Sequence, residues 1–192
     1  MKKLIITLVA LFSFCLTTYG AGNYDNADGD FMVFNFGDSR KVVLNKVEYL
    51  QNRHLIMDSF PEDDESIAFL TTMFDNIAVC YLDFNQDKLV KIATIIPFDY
   101  GLTLEQLKGL FEPLYDSFKQ KYGEPTKKDL AGAEAEIIAN STTVSVASWE
   151  LADKVILISY GADTLDGERV YNIMIIMVSS EEYSRMAQEE MD

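Results

Sequence analysis

The sequence predicts an α+β domain: one long antiparallel sheet with helices mainly on one face, in a layout that two related αβ halves would fit. Three observations point there. Residues 103–125, TLEQLKGLFEPLYDSFKQKYGEP, carry the pattern of a capped amphipathic helix. Apolar runs of strand length stand on both sides of it, joined by short polar turns. A capped helix followed by hairpin-connected strands occurs before this helix and begins again with it, the element order of an α+β domain. No residue-level repeat accompanies that rhythm.

The central helix is the best-defined element. Thr103 and Gln106 have capping-box spacing. Leu104, Leu107, Leu110, Phe111, Leu114, Phe118 and Tyr122 recur at three- and four-residue steps and form one apolar stripe. Lys119 and Lys121 suit the negative end of the helix dipole. Gly123 offers a left-handed C-terminal residue, and Pro125 blocks continuation. Gly109 and Pro113 oppose this pattern, so the expectation is a kink or two short helices there.

Residues 1–20 have the layout of a secretory signal peptide. Lys2 and Lys3 precede an apolar run over 4–16, and Gly20 provides a small residue before Ala21. The run is shorter than the roughly 20 apolar residues a membrane span needs, so no stable membrane anchor is expected after cleavage. The location expected is the periplasm or the exterior. Phe12-Ser13-Phe14 lacks the small residue that lipoprotein processing at Cys15 would need. Residues 21–30, AGNYDNADGD, read as a flexible leader. Asp25, Asp28 and Asp30 miss the EF-hand pattern, because Gly29 is at the fifth position and Phe36 at the twelfth.

Residues 31–192 are one domain's length, enough to bury about 70% of the unfolded surface without disulfides. Cys80 is the one cysteine left after the leader, in the apolar run IAVCYL, and reads as a buried thiol. Charge excludes more than it suggests. The chain carries a net −15; without Lys2 and Lys3, 14 basic residues face 31 acidic ones, a net −17. Nucleic acid and anionic lipid are excluded as electrostatic partners.

Taken in order, residues 31–36 read as a first strand and 37–39 as a break. Ser39 or Asp38 caps a helix reaching Leu50, with Val43, Val47 and Leu50 on one face. Strands follow at 55–60, 66–72, 76–84 and 88–97, with a charged turn at 61–65 and a hairpin turn at 85–87. Residues 126–142 read as a short helix or a long connection. Strands then run over 143–151, 155–160 and 168–178, with turns at 152–154 and 162–167. Ser180 caps a last helix whose first turn holds Glu181 and Glu182.

Phe36-Gly37-Asp38-Ser39, Lys121-Tyr122-Gly123-Glu124-Pro125 and Trp149 on a following strand give residues 36–178 a resemblance to small exported proteins of Bacteroides-type bacteria. The layout is similar to the helix-plus-sheet halves of β-lactamase-inhibitor-like and outer-membrane-assembly lipoprotein domains. The resemblance implies the same α+β architecture and brings no catalytic residue with it.

Catalytic motifs are sparse. His54 is the one histidine, with no Cys or Ser–Asp pattern around it. No Cys-x-x-Cys, phosphate loop, Ser elbow or zinc motif is present. No metal and no cofactor are expected. Asp83, Asp99 and Glu150 are the carboxylates to consider for hydrolysis of glycans, which needs a pair about 5 to 9.5 Å apart. Trp149, Tyr160 and Tyr171 fall on the late strands; on an uncovered face they would form a binding surface. The expected function is a non-catalytic binding module of the cell envelope, with another envelope protein as partner. A carboxylate-based hydrolase and a small-ligand or lipid carrier are the alternatives.

Overall fold

The computed structural model of the chain describes residues 31–61, 65–97, 101–139 and 143–189. The signal segment, the 21–30 leader, Cys15, Asp99, and residues 62–64 of the charged turn lie outside the described residues. Helix α1 spans Arg40–Asn52 and is followed by strands β1 (Asp58–Pro61), β2 (Ser66–Met73), β3 (Asn76–Asn85) and β4 (Lys88–Ile96). Then come α2 (Leu104–Tyr122), β5 (Lys127–Lys128), α3 (Leu130–Ala139), β6 (Thr143–Glu150), β7 (Lys154–Leu165), β8 (Glu168–Ser179) and α4 (Ser180–Glu189).

All eight strands form one antiparallel sheet in the order β1-β2-β3-β4-β8-β7-β6-β5. The first half is a helix followed by a four-strand meander; in the second, β5 and α3 stand between the helix α2 and the β6–β8 meander, and the last strands of the two meanders, β4 and β8, pair at the centre. Two-residue turns close the long hairpins: Phe74-Asp75, Gln86-Asp87 and Asp166-Gly167 all have positive φ, the geometry that matches strand twist.

Alternation sorts the strands into two faces. One row runs Ile67, Leu82, Ile92, Met177, Ile156, Trp149 across the sheet. The next runs Phe69, Cys80, Thr94, Ile175, Ile158, Ala147. These rows form a single core with Val43, Val47 and Leu50 of α1, Leu107, Phe111 and Leu114 of α2, and Ala133 and Ile137 of α3. Three helices therefore cover one face. The fourth, α4, sits at one end of the sheet: the Ser180 N–H donates to Asp153 O, and Glu182 accepts from Asn85 Nδ2.

The capping box of α2 is formed in both directions, Gln106 N–H to Thr103 Oγ1 and Thr103 N–H to Gln106 Oε1. The helix runs unbroken through Pro113. The carbonyl a proline ring opposes is four residues back, which here is Gly109, and both residues are exposed. A solvent-facing carbonyl can tilt outward, so no second helix is needed. Gly123 ends α2 at φ 84, ψ −164, a region open essentially to glycine alone but extended rather than left-handed helical.

The structure differs from the sequence reading at three further places. Residues 31–36 turn back on themselves instead of forming a strand: Phe31 bridges Phe34, with Met32 at φ 52. Phe34 is thereby buried, its ring 5.7 Å from that of Phe69. The expected 162–167 turn shrinks to Asp166-Gly167, because Ala162 to Leu165 stay paired with Glu168 to Tyr171. The final helix is capped by Ser179, whose hydroxyl accepts the Glu182 N–H. Of the short helix and the long connection expected over 126–142, the structure has the helix, with the Asp129 carboxylate accepting the Gly132 N–H at its start.

Candidate binding surface

The face opposite α1–α3 is also apolar. One row across it is Ala68, Tyr81, Ala93, Ile176, Leu157, Ser148; the next is Leu70, Val79, Ile95, Met174, Ser159, Ser145. Leu70, Tyr81, Ala93, Ile95, Met174, Ile176 and Leu157 are half-buried, and Ile77 at the end of β3 is 38% exposed. Ala68, Val79, Val155 and Val178 share this face and are buried outside the helix-side core. Among the described residues no helix lies over these two rows.

Charge is pushed to the margins of this face. Asp58 is on the β1 edge, opposite Leu70. A third row runs Ser66, Asp83, Lys91, Val178, Val155, Glu150, at the α4 end. There Lys91 Nζ meets Asp83 Oδ2 at 2.8 Å. The α4 residue Glu182 is paired with Arg185 and lies within electrostatic reach of Lys91. Neither sheet edge offers a long free strand. β1 has four residues, and β5 is two exposed lysines, the kind of short, charged edge that resists strand addition.

The three aromatics expected to form a surface lie elsewhere, in the core beneath the helices. Trp149 is 1% exposed, its ring 5.9 Å from Tyr115 and 5.8 Å from Phe118. Tyr160 meets Phe111 edge-on at 5.6 Å. Its hydroxyl has no hydrogen-bond partner among the described residues, and burial, with Glu134 and Glu112 adding to it, holds the phenol above its ordinary pKa. Tyr171 is buried too, its backbone bridged to Leu102. Strand parity puts Tyr81, by contrast, on the face opposite α1–α3. Sequence reasoning missed it, although its parity against Cys80 in IAVCYL separates the two faces.

The residues weighed for chemistry are scattered. His54 is exposed at the end of α1, with φ 57 and its N–H on Gln51 O. The Cys80 thiol is fully buried, and desolvation pushes its pKa up to about 12. Asp83 and Glu150 share a row but stand four strand spacings apart, roughly 19 Å at about 4.8 Å each. That is beyond the reach of a carboxylate pair. Among the described residues no group of three His, Cys, Asp or Glu side chains converges. A hollow lined by Lys127, Asp129 and Ser145 to Ser148 encloses about 10 Å³, room for one water at most. No helix among the described residues is long and apolar enough to cross a membrane.

Comparison of the chain with protein-family models, with curated proteins and with solved structures gives no match in any of the three.

Proposed function

We propose that the chain is an exported, non-catalytic binding module of the cell envelope that holds a protein partner against the open face of its sheet. One observation carries this reading: a second apolar sheet face, from Leu70 and Ile77 to Ile176 and Leu157, with no helix over its central rows among the described residues. Contiguous apolar surface of this kind, rimmed by polar residues, marks interaction sites. The few charges near it lie at its rim, as at protein interfaces. The acidic balance of −15 favours protein over nucleic acid or anionic lipid. Neither a hydrolase nor a ligand carrier gains a supporting observation: the Asp83–Glu150 pair is too wide, and the hollow at β5–β6 is far below the roughly 300 Å³ of a ligand pocket.

The test is photocrosslinking in the producing cell, with a photoreactive residue at Ile77 or Ile176 and a control at Leu44. Leu44 is 44% exposed on α1, on the other side of the molecule. Discrete adducts from the sheet positions and none from Leu44 are expected. Adducts absent from both sheet positions, or equal at all three, overturn the proposal. Recovery of the chain in the envelope or medium fraction, with a new N-terminus, is the matching test of export.

A further inference from the structure

The helix α4 is attached to the body by polar contacts and not by apolar packing. Of its ten residues, Ser180 to Glu189, one is buried, and that one is Glu182. Residues 183–189 are all exposed, the apolar Tyr183 and Met186 among them at 40% and 38%. The helices α1, α2 and α3 each send apolar side chains into the core, and α4 sends none. We propose that α4 is a detachable arm with Glu182 as its latch: docked and helical while that carboxylate is ionised, released and unwound when it takes a proton, with the eight-strand sheet still paired.

A helix of this length does not stand alone. Isolated helices shorter than about 12–15 residues are marginal in water, and most helix stability in proteins comes from a packed apolar face. What holds α4 is a short set of polar contacts near its start. The Ser180 N–H donates to Asp153 O at 3.0 Å, and its hydroxyl donates to Leu151 O at 3.4 Å. The Glu182 side chain, 10% exposed, accepts from Asn85 Nδ2 on β3 at 3.1 Å and from Arg185 Nε at 3.0 Å. Arg185 reaches on to Glu189. One carboxylate thus ties the helix to the sheet and, through Arg185, ties its first turn to its last. Losing that charge weakens docking and helicity together.

The groups around Glu182 set the direction of the switch. From α4 itself come Arg185 and, beyond it, Glu189. From β3 comes the neutral Asn85 amide, and from β4 comes Lys91, which pairs with Asp83 of β3 at 2.8 Å. At the β6–β7 turn Asp153 meets Ser180 through its carbonyl, and its carboxylate stands 3.3 Å from Lys154 Nζ. The near partners of Glu182 are donors or cations, so docking favours its charged form and it titrates below its ordinary 4.5. Protonation turns its charge-assisted bonds into weaker neutral ones. The latch therefore holds in full above about 4.5 and is lost as pH falls through the lower folded value.

Backbone NMR of the full chain, acidified from neutral to about pH 3, tests the latch. The Cα signals of 183–189 are expected to move from helical to random-coil positions with a midpoint below about 4.5, while those of Ile173, Ile175 and Met177 in β8 stay in place. Two variants test it at neutral pH. Glu182→Gln removes the charge; Asn85→Ala removes the anchor on the sheet and changes nothing in the helix. Each is expected to raise the released population of α4 roughly tenfold, read as the same signal shift and as a faster trypsin cut after Arg185, since cleavage follows the open population. Asn85→Ala keeps the test valid if Glu182→Gln folds poorly. Loss of the α4 and β8 signals in one step overturns the proposal, as does a helix that persists through the acid range or is indifferent to both substitutions.

Discussion

The indole Nε1–H of Trp149 donates to the carbonyl of Gly123 at 2.9 Å. One bond ties the last residues of β6 to the residue that ends α2. The same indole packs on Tyr115 and Phe118 of that helix, so the cap and the core depend on one side chain.

Trp149→Phe keeps most of the packing and leaves the Gly123 carbonyl without this donor. A loss of about 1–3 kcal/mol is expected; Trp149→Ala is expected to lose about 3–5 kcal/mol. Gly123→Ala forces a side chain into φ 84, ψ −164 at a cost of about 1–3 kcal/mol. Urea titration checks all three. Equal stability of wild type and Gly123→Ala would contradict the backbone argument.

Asp38 and Lys46 form the most buried ion pair among the described residues, Nζ to Oδ2 at 2.6 Å, with side chains 17% and 8% exposed. Asp38 also accepts the Asn35 N–H. Asp38→Ala strands a buried ammonium and is expected to cost about 3 kcal/mol or more. Lys46→Met leaves a carboxylate that still has a backbone donor and is expected to cost less. A double-mutant cycle by denaturant unfolding measures the coupling.

Cys80 is expected to be silent toward thiol reagents in the native state. Burial blocks access, and a pKa pushed up to about 12 leaves almost no thiolate at neutral pH. Labelling with an aromatic disulfide should therefore follow unfolding and accelerate sharply in denaturant. Rapid native labelling would show that the β3–β4 core opens locally.

Glu182 ties acid stability to α4. The Arg185 guanidinium, opposed by desolvation and helped by the Asn85 amide and Lys91, holds its carboxyl below the ordinary 4.5. A group whose folded pKa is depressed stabilises the fold above its unfolded value and loses that contribution as pH falls through the folded one. The stability gap between wild type and Glu182→Gln is expected to be full at neutral pH and to close as pH drops below about 4.5. A gap constant across that range would contradict the pairing.

Much of this fold is legible in the chain because its signals are local. Thr103 and Gln106 cap α2 as their spacing predicts, and Asp166-Gly167 closes a hairpin by its own φ preference. The misreadings come from tertiary context. Phe31 to Phe36 is apolar enough for a strand, but a tight turn packs it against the core and buries Val33 and Phe34. Trp149, Tyr160 and Tyr171 are aromatic on strands, as a recognition face would be, yet strand parity and α2 place them inside. The open face was harder to read. In IAVCYLDF both parities are apolar, so periodicity shows two apolar faces without telling which one the helices cover. Only the register of Tyr81 with Ala93 and Ile176 shows it.

The β4–β8 pairing also bears on how the chain reaches this state. Every other ladder in the sheet joins strands consecutive in sequence. The seam between the meanders joins partners such as Ile92 and Met177, across roughly 80 intervening residues, so the largest loop-closure entropy is concentrated there. Within each meander contacts are short-range and fast to form; the search for the seam is the slow, topology-limited part of folding. Substitutions at Ile92 or Met177 therefore act where the two halves must find each other in time as well as in space.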